Sequence, residues 1–221
     1  MIDFLRSLWA DEGHSLALPF INDFYYPWEA LSYIEDFIEM QARLINKNDF
    51  LCLNKGIYIS KKARVASNAV INGPCIIGEF TEVRPGAFVR GCAVIGQGCV
   101  IGNSTEVKNS ILFDSVQVPH FNYVGDSILG YMAHFGAGVI TSNVKCDKSC
   151  VCIKFEGETV VTERKKLGAL VGDHVEVGCN SILNPGTVIG KNSTIYPLLS
   201  VRGIVPENSI YKSKDNVIYK E

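Results

Sequence analysis

Three side chains near the middle of this 221-residue chain could together handle a proton and an anion: His120, Tyr123 and, a little earlier, Lys108. An imidazole with an unperturbed pKa of about 6.5 suits general-base work near neutral pH. The phenol beside it offers an acid, and the ammonium a point charge for an anion. An isolated histidine is most simply a solvated surface imidazole. This one sits in a run containing Pro119, Asn122, Tyr123 and Asp126, an unusually polar stretch for a chain that is 47% hydrophobic. Cys146, Cys150 and Cys152 form C-x3-C-x-C, which matches no standard zinc spacing and has no paired second half, so no metal ligands are assigned.

The elements that must position these residues announce themselves by period. From Ile59 an aliphatic residue returns every sixth position, through Val65, Ile71, Ile77, Val83, Val89, Ile95, Ile101 and Val107. A smaller residue follows four positions after each of the first eight: Ala63, Ala69, Cys75, Thr81, Ala87, Ala93, Cys99 and Thr105, and Ile111 follows the ninth. Six fits neither an amphipathic helix nor a hairpin array. It fits a parallel β-helix of hexapeptide repeats, in which three flat sides make one triangular turn and successive turns lie about 4.8 Å apart. Cys75 and Cys99 fall in the small inward slot, where a thiol behaves as a compact hydrophobe. After Val107 the frame slips by one residue to Leu112, and again to Leu129, before Phe135 and Thr141 restore it. Departures from a strict repeat tend to mark function. Residues 142–168 break the frame and are expected as a loop thrown out of the coil, on the face where solenoids collect binding insertions. The frame resumes at Val171 and runs to Val201.

The expected organisation is therefore an N-terminal helical segment (1–52), a β-helix domain (53–205) with the inserted loop, and a polar C-terminal tail (206–221). In the first segment Leu31, Ile34, Ile38, Ala42 and Ile45 follow Pro27 at helical steps, predicting one helix that packs on the coil or on another subunit. A shorter helix is predicted over residues 2–10. A net charge of −2 gives no general attraction to nucleic acid or anionic lipid. No run of eighteen apolar residues suggests a membrane span, and the acidic opening M-I-D-F-L-R does not read as a signal peptide, so a cytoplasmic protein is expected.

Ladder arithmetic then stacks side chains. With one slip, a residue lies beneath the one seventeen positions later, so Glu106 falls under Tyr123 and Asn103 under His120, with Ala137 above. His120, third in its rung, faces outward.

Four stretches carry a family resemblance: V-R-P-G-A-F (83–88), T-E-V-K-N-S (105–110), V-P-H-F-N-Y-V-G-D (118–126) and F-G-A-G-V-I-T-S-N (135–143). Over roughly residues 57–205 the chain resembles the acetyltransferase half of bacterial N-acetylglucosamine-1-phosphate uridyltransferase. It is more similar still to the C-terminal domain of archaeal bifunctional sugar-1-phosphate nucleotidylyltransferase/acetyltransferases, which share R-K-K-L-G-A (164–169). The resemblance implies a mainly β fold, a left-handed parallel β-helix, assembled as a homotrimer with active sites between prisms. It implies an acetyl-CoA-dependent N-acetyltransferase acting on an amino-sugar 1-phosphate such as glucosamine or galactosamine 1-phosphate, with acetyl-CoA as co-substrate and no metal. His120 matches the catalytic base, Asn143 a catalytic amide and Glu106 an assisting acid. Arg84, Lys108 and Tyr123 match sugar-phosphate contacts, and Ala137 and Cys179 positions along the acetyl-CoA groove. The backbone N–H groups of G-A-G (136–138) are candidates for the oxyanion. His134 stands where the bacterial enzyme has an asparagine touching the sugar, and Pro197 where a backbone N–H would meet coenzyme A. The nucleotidylyltransferase domain of the related enzymes has no counterpart in these residues. That leaves a non-catalytic trimeric partner of a separate nucleotidylyltransferase, or an acyltransferase with a different acceptor, as the other readings.

Overall fold

The computed structural model describes residues 1–9, 13–54, 56–155 and 157–220. The hexapeptide frame folds as its period requires, into a three-sided parallel β-helix. One side is a sheet of nine strands running from Phe50–Leu53 to Ile204–Val205; the second has nine and the third seven. From Ile77 onward the repeat's aliphatic residues point inward: Ile77, Val83, Val89, Ile95, Ile101 and Val107 lie in one continuous core, while Val65 on the first coil is exposed. The two slips are real register changes. Val118 pairs with Ile101, and Leu112 with Leu129, at a separation one residue short of the eighteen that relate Ile77 to Ile95. Inward threonines and serines such as Thr81, Thr105 and Thr141 bond to backbone of adjacent coils, and no buried side-chain nitrogen or oxygen among the described residues lacks a partner.

The nine-stranded sheet that begins at Phe50 is apolar on both faces. Its outward residues Ile76, Val94, Ile111, Ile128, Leu170 and Val188 are buried beneath the N-terminal segment in a second core. That segment comprises α1 (Ile2–Ser7), α2 (Leu18–Asn22), a 3-10 helix (Pro27–Ser32) and α3 (Ile34–Ala42). The single helix predicted from Pro27 to Ile45 is thus two. Tyr33, at φ −120° and ψ 17°, leaves helical geometry and serves as N-cap of α3, whose first turn carries Glu35 and Asp36. The buried stripe Leu31, Ile34, Ile38 survives the break, because both pieces lie on the same sheet. The first helix, expected over 2–10, stops at Ser7; residue 10 lies outside the described residues. Trp9 anchors it, its indole N–H donating to the Val171 carbonyl at 2.8 Å.

The expected loop 142–168 is a clasp. Cys152–Phe155 and Glu158–Val161 pair as an antiparallel hairpin. Val151, Ile153 and Leu167 are buried in the helical layer, and Phe155 stacks on Phe4 at 5.5 Å. Alternation explains it: with Ile153 turned to the core, Cys152 and Lys154 turn away. Past residue 205 the chain does not trail off. Ser209–Ser213 adds a parallel strand to the second sheet and Asn216–Tyr219 folds back antiparallel against it, closing the open edge of the solenoid. None of the helices is long and apolar enough to cross a membrane.

Candidate functional site

The sequence-derived residues fall mainly into two places on one protomer. The first is the corner between the second and third sheets. His120 ends the strand Gln117–His120, outward and exposed, in register with Asn103. Its end of the strand is fixed from within: Asn122, buried, takes the His120 N–H on Oδ1 at 3.1 Å and donates Nδ2 to the Gly136 carbonyl at 2.8 Å. Gly102 lies just beneath, where a Cβ would overlap the Pro119 carbonyl, so any side chain there would displace the strand carrying His120. Ala137 and Cys179 follow on the next two coils, linked by the Asn180 N–H to the Ala137 carbonyl at 2.8 Å. The G-A-G run behaves unevenly. Gly136 N–H donates to Val177 and Gly138 N–H to the His120 carbonyl, so neither is open to a ligand. Among the described residues, only the Ala137 N–H of the three has no acceptor within the chain.

The second place is the third sheet and its far corner. Tyr123 stands above Glu106, as the ladder requires. Asn143 Nδ2 donates to the Tyr123 hydroxyl at 3.2 Å and to Asp126 Oδ2 at 2.5 Å. Asp126, almost wholly buried, also receives Asn109 Nδ2 at 2.9 Å and the Lys108 ammonium at 3.4 Å. A carboxylate only accepts, so the Asn143 nitrogen must face it, and the Asn143 carbonyl oxygen turns away, open as an acceptor. Burial pushes the Tyr123 phenol up, against the opposing bond from Asn143, keeping it a neutral donor at ordinary pH. Asp126 is the residue that sequence reasoning left unassigned, although the signal was there. Asn109, Asp126 and Asn143 are spaced by seventeen, one coil apart, so the slipped frame stacks amide, carboxylate and amide.

Glu106 does not reach His120. It pairs with Arg90 at 2.8 Å, a contact that raises the arginine further, and lies under Tyr123 on another sheet. Arg84 and His134 lie along the second sheet, three coils apart. Arg84 pairs with Glu82 at 3.3 Å, while His134 lies above Gln117 and sets Nδ1 2.6 Å from Glu176 Oε2. One protomer therefore unites Lys108, Tyr123 and Asn143 but leaves Arg84 and His134 on a different face.

A family model described as the GMPPB C-terminal domain matches residues 71–218. The chain belongs to this family. The chain is 35% identical over 205 residues to the bifunctional protein GlmU of Methanococcus maripaludis strain C5, covering 90% of this chain and 49% of that one. It is 32% identical over 174 residues to the bifunctional sugar-1-phosphate nucleotidylyltransferase/acetyltransferase of Sulfurisphaera tokodaii, covering 77% and 43%. The chain thus spans about half the length of the curated relatives it matches. Among solved structures it is similar to WeeI from Acinetobacter baumannii, at a TM-score of 0.41 and 15% identity, covering 70% of this chain and 57% of that one.

Proposed function

We propose that this chain transfers the acetyl group of acetyl-CoA to the amine of an amino-sugar 1-phosphate, in the cytoplasm, as a homotrimer. The observation that carries the reading is the joined set of Lys108, Asp126, Asn143 and Tyr123, one corner away from the exposed imidazole of His120. A sugar ammonium cannot attack a thioester until it loses a proton, and His120 is free to take it. The open carbonyl oxygen of Asn143 would accept one of the two remaining amine hydrogens and aim the nitrogen lone pair. As nitrogen bonds to the acetyl carbon, charge gathers on the thioester oxygen, where the unpaired Ala137 N–H is a fixed donor. His120, having released the first proton to water, takes a second from the nitrogen once it is bonded; the carbon–sulfur bond then breaks and that proton passes to the leaving sulfur, leaving a neutral amide and the free thiol.

Lys108 would bind the acceptor's phosphate as a point charge steadied by Asp126, and the Tyr123 hydroxyl would donate to it. Arg84 and His134 lie on another face, so their expected roles require a neighbouring prism to bring that face to the cleft; this is the argument for a trimer. The Ala137–Cys179 corner supplies the acetyl-CoA groove, with Pro197 next in line contributing no N–H. Glu106 is best read as the partner that holds Arg90 beneath Tyr123.

The test is thiol release from acetyl-CoA with glucosamine or galactosamine 1-phosphate. Wild-type protein should release coenzyme A with at least one of them, and His120→Ala should not; release from neither sugar by wild type would sink the reading.

A further inference from the structure

The hairpin clasp does more than cover helices. Between it and the last coils lie two adjoining cavities of about 270 and 510 Å3, which share Lys145, Pro185 and Arg202. Sites for small ligands occupy about 300–1,000 Å3. Ser142 and Val144, the residues on either side of Asn143, line the smaller lobe, so the groove starts where the Asp126 network ends. Lys154 and Thr159, cross-strand partners on the hairpin, line the larger one.

The charge is one-sided. Lys145, Lys154 and Arg202 face a single lining carboxylate, Asp147, which lies 3.4 Å from Lys145. Lys154 pairs with no carboxylate among the described residues. Arg202 is held ready rather than neutralised. Its Nη2 donates to Asn184 Oδ1 at 3.1 Å, while Asn184 Nδ2 is fixed on the Val201 carbonyl and the Ser200 hydroxyl. That leaves most of the guanidinium fork free for an oxyanion. The floor is bare: Gly186 lets the clasp approach the coil, since a Cβ there would meet Val151 at 2.7 Å, and a Cβ at Gly203 would meet nothing.

Three cations along two lobes exceed what one phosphate needs, and the larger lobe exceeds what a diphosphate alone would fill. We propose that this groove binds a nucleoside diphosphate, with Arg202 and Lys154 on the phosphates. The groove adjoins the Asn143 cluster, so the nucleotide would lie beside the proposed acceptor site.

Calorimetric titration of the full chain with uridine diphosphate, guanosine diphosphate, inorganic pyrophosphate and coenzyme A, each separately, tests it. At least one nucleoside diphosphate should bind at least tenfold more tightly than pyrophosphate. A Lys154→Ala/Arg202→Ala variant should weaken it at least tenfold while coenzyme A binds as before. Both side chains are exposed, and Lys154→Glu alone gives the same comparison should the double variant unfold. Absence of nucleoside diphosphate binding, binding indifferent to these changes, pyrophosphate binding equally well, or loss of coenzyme A instead would each overturn the proposal. Because the readout is binding, a protein inert in thiol release that still takes the nucleotide would sink acetyl transfer and leave the groove standing.

Discussion

Two sides of the same prism differ in a single outward residue per rung. On the sheet under the helices that residue is Ile76, Val94, Ile111, Ile128, Leu170 or Val188, and all are buried. On the second sheet the corresponding positions include Glu82, Gln117, His134 and Glu176, and on the third Glu106 and Tyr123. The inward residues that make the coil are alike on all three sides. The coil therefore needs only its interior, and its exterior is free to differ: one face is buried beneath the helices, and the others are left without that cover. Each covered aliphatic residue contributes about 1.5–3 kcal/mol as an upper estimate.

The sharpest way to break this comparison is a charge on each side. Ile128→Asp puts an unpaired carboxylate between coil and helices and should cost about 4 kcal/mol or prevent folding, read from urea denaturation. Gln117→Asp, on the open second sheet, should change stability by no more than about 0.5 kcal/mol. Equal costs would mean the helical layer is not what distinguishes the sides.

The chemistry of the open sides can be separated from their stability. His120→Ala should lower thiol release by about 10²–10⁴-fold, as loss of a general base does, with the unfolding midpoint unchanged because the imidazole is outward and exposed. Asp126→Asn should do something of both. Its φ of 50° suits asparagine as well as aspartate, so the backbone is kept. The amide, however, cannot accept from Asn109, Asn143 and Lys108 together. A loss of about 1–3 kcal/mol is expected, together with a raised KM for the sugar phosphate as Lys108 loosens. A stability loss with unchanged KM would leave Asp126 as part of the frame alone.

Much of this architecture is legible in the sequence, and the limits have physical causes. A period of six constrains every rung, so coil, slips and ladder partners such as Glu106 with Tyr123 followed from counting. Which side the helices cover was also written in the chain, in the apolar residue ahead of the aliphatic one on every third rung, from Ile76 to Val188. It is easily passed over because the inward pattern is stronger. The clasp is less accessible: Val151 and Ile153 bury against helices and coil residues that are remote in sequence, and an isolated two-residue alternation carries little signal. Asp126 was missed for a different reason. Its role arises from three partners each about one coil away, visible only when the slipped ladder is carried through to Asn109 and Asn143. The break at Tyr33 lies beyond periodicity altogether, since the buried stripe passes through it unchanged.

The smallest expected effect contrasts the interior with the rims, through cysteine. Burial pushes the Cys75 and Cys99 thiols up to about 12, whereas Cys52, Cys146 and Cys179 are exposed. Under native conditions at pH 8 the exposed thiols should react quickly with a disulfide reagent and the two buried ones only on unfolding. Coenzyme A should slow one of them, Cys179, if its groove runs along that corner. The same burial has a pH consequence. A thiol kept protonated in the fold contributes fully while the unfolded thiol is also protonated, below about 8.5. As pH rises from there towards 12 the unfolded chain ionises and the folded one does not, so stability falls. Cys99→Ala removes that group and loses the Sγ contact to the Phe113 carbonyl, so it should cost about 1 kcal/mol at pH 7 while flattening the alkaline decline. An unchanged alkaline slope in this variant would mean that the loss arises elsewhere, with the half-buried Tyr123 phenol the next group to replace.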